Sequence, residues 1–156
     1  LLLLYKLLKS STSSMADVHD KKTRSYNMSK IKSKDTKPEM TVRKYLFSKG
    51  FRYKLHNKKL PGKPDLTFPK YNTVIFIHGC FWHGHENCKY FVIPKTRKKW
   101  WLKKIQKNKE LDEKNIRILK KIGWQVIVIF ECELMKNKED TLNKIEKLIR
   151  SEDTNN

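Results

Sequence analysis

Apolar periodicity along the 156-residue chain is absent in places and strong in others. Residues 17–35 hold few apolar positions and read as a loosely held N-terminal arm. Asp35 and Thr36 then offer helix caps, and Pro38 and Glu39 suit a first turn. Met40, Val42, Leu46 and Phe47 supply the apolar positions of that helix, which Gly50 ends. Phe51–His56 alternates apolar and polar side chains as a half-buried strand does. Beyond the turn Leu60-Pro61-Gly62-Lys63-Pro64, a short strand is expected at Asp65–Phe68, and the β-branched run Thr73–Ile77 reads as a central strand.

The longest helix is expected over 96–121. At about 100° per residue, it gathers Trp101, Ile105, Ile116, Leu119 and Ile122 on one face, with Asn108 and Asp112 near the middle. A polar pair there is costly unless it is hydrogen-bonded or looks into a site. Trp100 and Trp124 read as packing residues. Gly123 closes the helix, Gln125–Phe130 reads as a second buried strand, and Lys138–Arg150 as a closing helix. The order α-β-β-β-α-β-α predicts an α/β class with one mixed sheet flanked by helices.

Leu1–Ser14 fits neither this pattern nor a secretory signal. Met15-Ala16 looks like the true start, so 1–14 is read as upstream translation. Residues 15–36 are the arm, 37–151 the domain and 152–156 a tail. No apolar run approaches the roughly 20 residues of a membrane span. A cytoplasmic protein with reduced cysteines is therefore expected.

Charge narrows the partners. Lys and Arg number 36 against 16 Asp and Glu, a formal net charge of +20. Residues 15–60 and 89–121 each carry a net +10, 61–88 are neutral, and 122–156 carry −2. A Lys-rich solvated surface would spread more evenly. Two basic segments around a neutral centre point to a polyanion, nucleic acid foremost.

The neutral centre holds the unusual residues. Cys80, His85 and Cys88, joined at long range by Cys132, form a Cys-x4-His-x2-Cys set suited to closed, structural zinc. The plainer alternative is three buried thiols and a surface histidine. Asp65 enters a strand after a proline turn, where a carboxylate is a hard oxygen ligand for Mg²⁺. His78 and His83 flank the next strand end. Phosphodiester hydrolysis needs a metal to stabilise charge and a base to activate water.

These residues resemble a known family. Ala16-Asp17-Val18-His19-Asp20, Leu60-Pro61-Gly62-Lys63-Pro64-Asp65 and Val74-Ile75-Phe76-Ile77-His78-Gly79-Cys80-Phe81-Trp82-His83 are similar to the very-short-patch repair (Vsr) DNA mismatch endonucleases. So are Trp101, Lys107-Asn108, Asp112, Gly123-Trp124 and Glu131-Cys132, and the similarity runs from about Met15 to Arg150. The resemblance implies a restriction-endonuclease-like core with a structural zinc. It implies an enzyme that nicks 5′ of the thymine in T·G mismatches left by 5-methylcytosine deamination.

Position by position, the resemblance makes Asp65 the Mg²⁺ carboxylate, joined by the backbone carbonyl of Ile77, and His83 the general base. His78, Glu39 and Asp112 become supporting residues, and Cys80, His85, Cys88 and Cys132 the zinc ligands. Phe81, Trp82 and Trp101 match aromatics that wedge beside the mismatch, and Met28 in the arm matches a residue reaching the opposite groove. Lys103, Lys104 and Asn108 are expected along the DNA. Ile77 stands where the family has threonine, and one extra residue lies between His83 and Cys88. The implied partners are double-stranded DNA, a cytosine-5 methyltransferase as functional companion and mismatch-repair proteins, with the enzyme a monomer. Rival readings are a double-strand-cutting restriction enzyme on the same core and a non-catalytic zinc-dependent DNA-binding module.

Overall fold

The computed structural model describes residues 20–32 and 34–151. The stretch read as upstream translation, the start of the arm and the tail lie outside them. Helix α1 spans Lys21–Ser29, where the sequence suggested a loosely held arm. Its described side chains are exposed, so few apolar positions marked a solvated helix here and not an irregular segment.

Helix α2 (Lys37–Ser48) begins as its capping residues dictate. Thr36 Oγ1 accepts from the Glu39 N–H, and Glu39 Oε2 reaches back to the Asp35 N–H at 2.7 Å. Strands β1 (Lys54–Leu55), β2 (Leu66–Phe68) and β3 (Thr73–His78) follow, then helix α3 (Lys98–Lys121) and strand β4 (Gln125–Phe130). Helices α4 (Glu131–Lys136) and α5 (Lys138–Ser151) close the described chain. The sheet order is β1-β2-β3-β4, with β1, β2 and β3 antiparallel in turn and β3 parallel to β4. This is a mixed α/β fold.

Strand parity divides the core. Ile75, Ile127 and Ile129 face a cluster with Val42 and Leu46 of α2 and Leu142, Ile145 and Ile149 of α5. Val74 and Phe76 face Leu119 of α3. Alternation along β3 therefore turns His78 to the same side as Val74 and Phe76, toward α3. Full burial of each such apolar side chain stabilises by about 1.5–3 kcal/mol.

Several expected boundaries shift. The strand expected at Phe51–His56 keeps only two paired residues, because Phe51 dives into the α2–α5 core. Ile122 is 54% exposed and leaves the apolar face of α3, since the helix ends at Lys121. Trp100 does not pack inward either; it is 46% exposed, with Arg97 over its ring. Trp124 does pack, against Val74, Phe76 and Leu119. Among the described residues no helix is long and apolar enough to cross a membrane.

Candidate active site

Asp65 is delivered by the Leu60–Pro64 turn. Gly62 sits at φ +72 with Phe76 and Asn115 so close that a Cβ would lie 3.1 Å from each, so the turn seats tightly on β3 and α3. The His56 N–H donates to the Asp65 carbonyl at 3.1 Å, extending the β1–β2 pairing by one residue. Asp65 Oδ2 accepts from the Ile77 N–H at 2.7 Å. Its pKa is raised by burial, and by the neighbouring Glu39 carboxylate, against the opposing pull of the Ile77 N–H, His56 and His83.

Beside Asp65 a column of three side chains crosses from sheet to helix. His78 is buried at the end of β3, and its ring stacks on His83 with centroids 3.6 Å apart and planes 7° from parallel. His83 Nδ1 lies 2.6 Å from Asp112 Oδ2 on α3. A carboxylate on Nδ1 fixes that nitrogen as the protonated one and leaves Nε2 as the acceptor. Burial, with the adjacent His83 adding to it, pushes the His78 pKa down to about 4, which keeps that ring neutral at physiological pH. The polar pair expected on the inner face of α3 is thus accounted for. Asp112 holds His83, and Asn108 donates to the Trp82 carbonyl at 2.8 Å.

The loop after β3 folds on itself through His83 N–H to Gly79 and His85 N–H to Cys80 hydrogen bonds. Gly84 (φ +59) lets it press on α3, where a Cβ would meet Ile105 at 2.8 Å. Phe81, Trp82 and Trp101 form one edge-to-face cluster, with centroid separations of 5.2, 5.2 and 5.9 Å. All three are half-buried. A cavity of about 590 Å³ runs from Ile31, Lys32 and Pro38 to Phe81, Trp82 and Glu131. A second, of about 490 Å³, holds Asp65, His56, Asp112, Lys34, Lys58 and Lys63. The two meet at Ile77, His78 and His83.

On the far side of the same loop, the ligand atoms of Cys80, His85, Cys88 and Cys132 lie within 4.8 Å of one another and could hold a metal ion. His85 Nδ1 is 3.5 Å from Cys80 Sγ and 3.4 Å from Cys132 Sγ, and its ring stacks on Phe130. Glu131 braces the loop by accepting the Cys80 N–H at 2.8 Å. Burial pushes the Cys80 thiol up to about 12. Just before Cys88, Asn87 adopts a φ of +56.

Known proteins give this arrangement its context. Over 136 residues the chain is 52% identical to a type II nicking enzyme of Neisseria meningitidis, covering 87% of this chain and 96% of that one. It is 46% identical over 120 residues to the DNA mismatch endonuclease Vsr of Escherichia coli, covering 77% and 76% of the two chains. A type II nicking enzyme of Xanthomonas oryzae is 44% identical over 77% of this chain and 88% of its own. The DNA mismatch endonuclease Vsr family itself matches residues 16–89. The chain belongs to the Vsr family.

In this Vsr-family chain, the structure brings Asp65, His78, His83, Asp112 and the Ile77 backbone together, and gathers Cys80, His85, Cys88 and Cys132 separately. Glu39 is 2% exposed and stands behind Asp65, on α2. Met28 is exposed on α1, and Lys103 and Lys104 are exposed on α3, outside both clusters. Sequence reasoning passed over His56. Nε2 of His56 lies 3.2 Å from Glu39 Oε1, and Nδ1 3.8 Å from Asp65 Oδ1. A hairpin register drawn across the turn would have set residue 56 opposite 65 and found it.

Proposed function

We propose that this Vsr-family endonuclease nicks one strand of duplex DNA on the 5′ side of the thymine in a T·G mismatch, the lesion left when 5-methylcytosine deaminates. The observation that carries the reading is the His78–His83–Asp112 column beside a buried Asp65, at the junction of two cavities. Asp65 and the Ile77 carbonyl offer hard oxygen donors that fit Mg²⁺. Bound there, that ion would supply charge stabilisation at the scissile phosphate.

The chain's own residues do the rest. His83, with its Nδ1 proton held by Asp112, takes a proton from water at Nε2. The water oxygen bonds to phosphorus as the P–O3′ bond breaks, and the departing 3′-oxygen takes a proton from solvent, which leaves a 3′-hydroxyl and a 5′-phosphate. His78 holds the His83 ring in plane by stacking. Phe81, Trp82 and Trp101 supply apolar faces able to enter a weakened base step. The basic segments, with Lys103 and Lys104 on α3, hold phosphates, and Met28 on α1 extends toward the duplex.

Zinc fits the second cluster. Bonds of 2.3 Å to sulfur and 2.0–2.1 Å to nitrogen give a tetrahedron with S···N edges of about 3.6 Å, against the 3.4 and 3.5 Å seen here. With every position protein-supplied, its role is architectural. We take the enzyme to act as a monomer on chromosomal DNA in the cytoplasm, alongside a cytosine-5 methyltransferase and mismatch-repair proteins.

The deciding experiment is single-turnover nicking of T·G and matched duplexes in Mg²⁺, with the cut mapped on each strand. One nick 5′ of the mismatched thymine supports the reading. A double-strand cut at matched DNA would favour the restriction enzyme, and binding without cleavage the DNA-binding module.

A further inference from the structure

His56 occupies an unusual position behind the candidate centre. It follows β1 with φ +44, a left-handed conformation that costs a non-glycine residue strain. Its N–H is spent on the Asp65 carbonyl, so backbone and side chain both address the same residue. The ring stands between two carboxylates, with Glu39 Oε1 at 3.2 Å and Asp65 Oδ1 at 3.8 Å. Nε2 is buried and makes no aligned hydrogen bond among the described residues. Each carboxylate has its other oxygen committed, Asp65 Oδ2 to the Ile77 N–H and Glu39 Oε2 to the Asp35 N–H. The remaining oxygens, Asp65 Oδ1 and Glu39 Oε1, both face His56, and Glu39 Oε1 also accepts from the Arg43 guanidinium at 3.4 Å.

We propose that His56 is a positioning residue of the hydrolytic centre, which holds the free oxygen of Asp65 at its working angle by bridging Asp65 to Glu39. The inference rests on the Asp65-centred reading above. Two carboxylates facing each other across a partly dry gap repel, and the Ile77 N–H fixes only one of the two Asp65 oxygens. The imidazole presents one ring nitrogen to each carboxylate while remaining rigid. It ties β1, β2 and α2 together at the one carboxylate whose orientation matters. The separation of 3.8 Å from Asp65 is too long for a hydrogen bond and closes when the carboxylate is drawn into its working state. A cation in place of this bridge is disfavoured. The Arg43 guanidinium already lies 2.6 Å from Asp35 and 3.4 Å from Glu39.

The test compares His56→Ala with His56→Gln in the full chain, both carrying the same backbone strain. Nicking of a T·G duplex is followed across Mg²⁺ concentrations, and Ca²⁺ is titrated calorimetrically into the protein–duplex complex. His56→Ala should raise the half-saturating Mg²⁺ concentration by about 10-fold or more, the scale of losing a partner behind a metal ligand. The rate at saturating Mg²⁺ should change less, and Ca²⁺ binding should weaken in parallel. Thermal midpoint and duplex affinity in EDTA should stay near wild type. His56→Gln keeps one donor in the gap and should recover most of the loss. An unchanged Mg²⁺ and Ca²⁺ dependence in His56→Ala, or a glutamine variant as impaired as the alanine one, overturns the inference. Asp65→Ala runs alongside. If it still nicks, the reading of the centre has failed, whatever His56 does.

Discussion

The stretch His78–Cys88 feeds two clusters of opposite character. His78 and His83 turn toward α3 and join Asp65 and Asp112, hard donors lining connected cavities. Cys80, His85 and Cys88 turn the other way and join Cys132, soft donors in which Cys80 and Cys132 are buried. Interleaved residues of one tight loop thus serve a set that lines cavities and a closed one. The open set, as proposed, moves a proton through His83. The closed set brings the loop against Cys132 at the start of α4, and a metal bound there would fix where His83 stands. On the proposed reading one cluster is chemistry and the other its scaffold, and changes to them should fail in different ways.

The sharpest separation should come from Asp65→Ala. Removing the carboxylate held by the Ile77 N–H should bring nicking below detection, while T·G binding in EDTA stays within about threefold, since only an oxygen donor is lost. Parallel nicking and fluorescence-anisotropy assays check both halves. A variant that nicks at wild-type rate would dissolve the contrast between the clusters.

Cys132→Ser should fail the other way. Elemental analysis should find one zinc per wild-type chain and none in the variant. Metal binding to a folded site is itself folding free energy, so the loss should be on the order of several kcal/mol and appear as a lowered thermal midpoint or aggregation. Soluble, active wild-type protein without zinc would remove the scaffold half of the argument.

His83→Ala is expected to cost about 10²–10⁴-fold in single-turnover rate, the range of a general base, with thermal midpoint near wild type. Asp112→Asn should cost less, because it disturbs the orientation of His83 and leaves the ring in place. Equal losses from both would recast the column as packing.

Which of these features show in the sequence follows from how local they are. The β-branched runs at 73–77 and 125–130, the caps at Asp35–Glu39 and the glycine after α3 each act within a few residues, and each element appears where its signal lies. The Asn108–Asp112 pair was visible as an anomaly because two polar groups sat on an apolar face, although their partners Trp82 and His83 were not. What stayed hidden depends on contacts between distant segments. Whether Phe51 enters the core or a strand is settled by α5, about 90 residues away. Trp100 and Trp101 look alike in sequence, yet only Trp101 reaches Phe81 and Trp82. His56 gave no periodic or motif signal, since its meaning lies wholly in facing Glu39 and Asp65.

Trp82→Ala probes how the open cluster is brought to its target. Its ring lies between the histidines in sequence and against Trp101 in space. Opening a base step costs a few kcal/mol, and less where pairing is already weak. The variant should therefore lose about 10–100-fold on a T·G duplex and less on a duplex opened by an abasic gap at the same place. Equal losses on both would mean that the ring packs and does not pry.

The smallest effect belongs to neither cluster. Lys103 and Lys104 are exposed on α3, two and three residues past Trp101, and on the proposed reading they meet phosphates. Each phosphate contact releases bound counterions, so removing one lowers the slope of log affinity against log salt by about 1. Lys103→Ala and Lys104→Ala should weaken matched and mismatched binding by the same few-fold factor and leave the nicking rate at saturating enzyme unchanged. Anisotropy titrations between low and moderate salt measure the slope, and the T·G-to-matched affinity ratio should not move. If that ratio falls with either lysine, mismatch selection extends beyond the aromatic cluster onto the outer face of α3. The division between a reading loop and a merely electrostatic helix would then have to be redrawn.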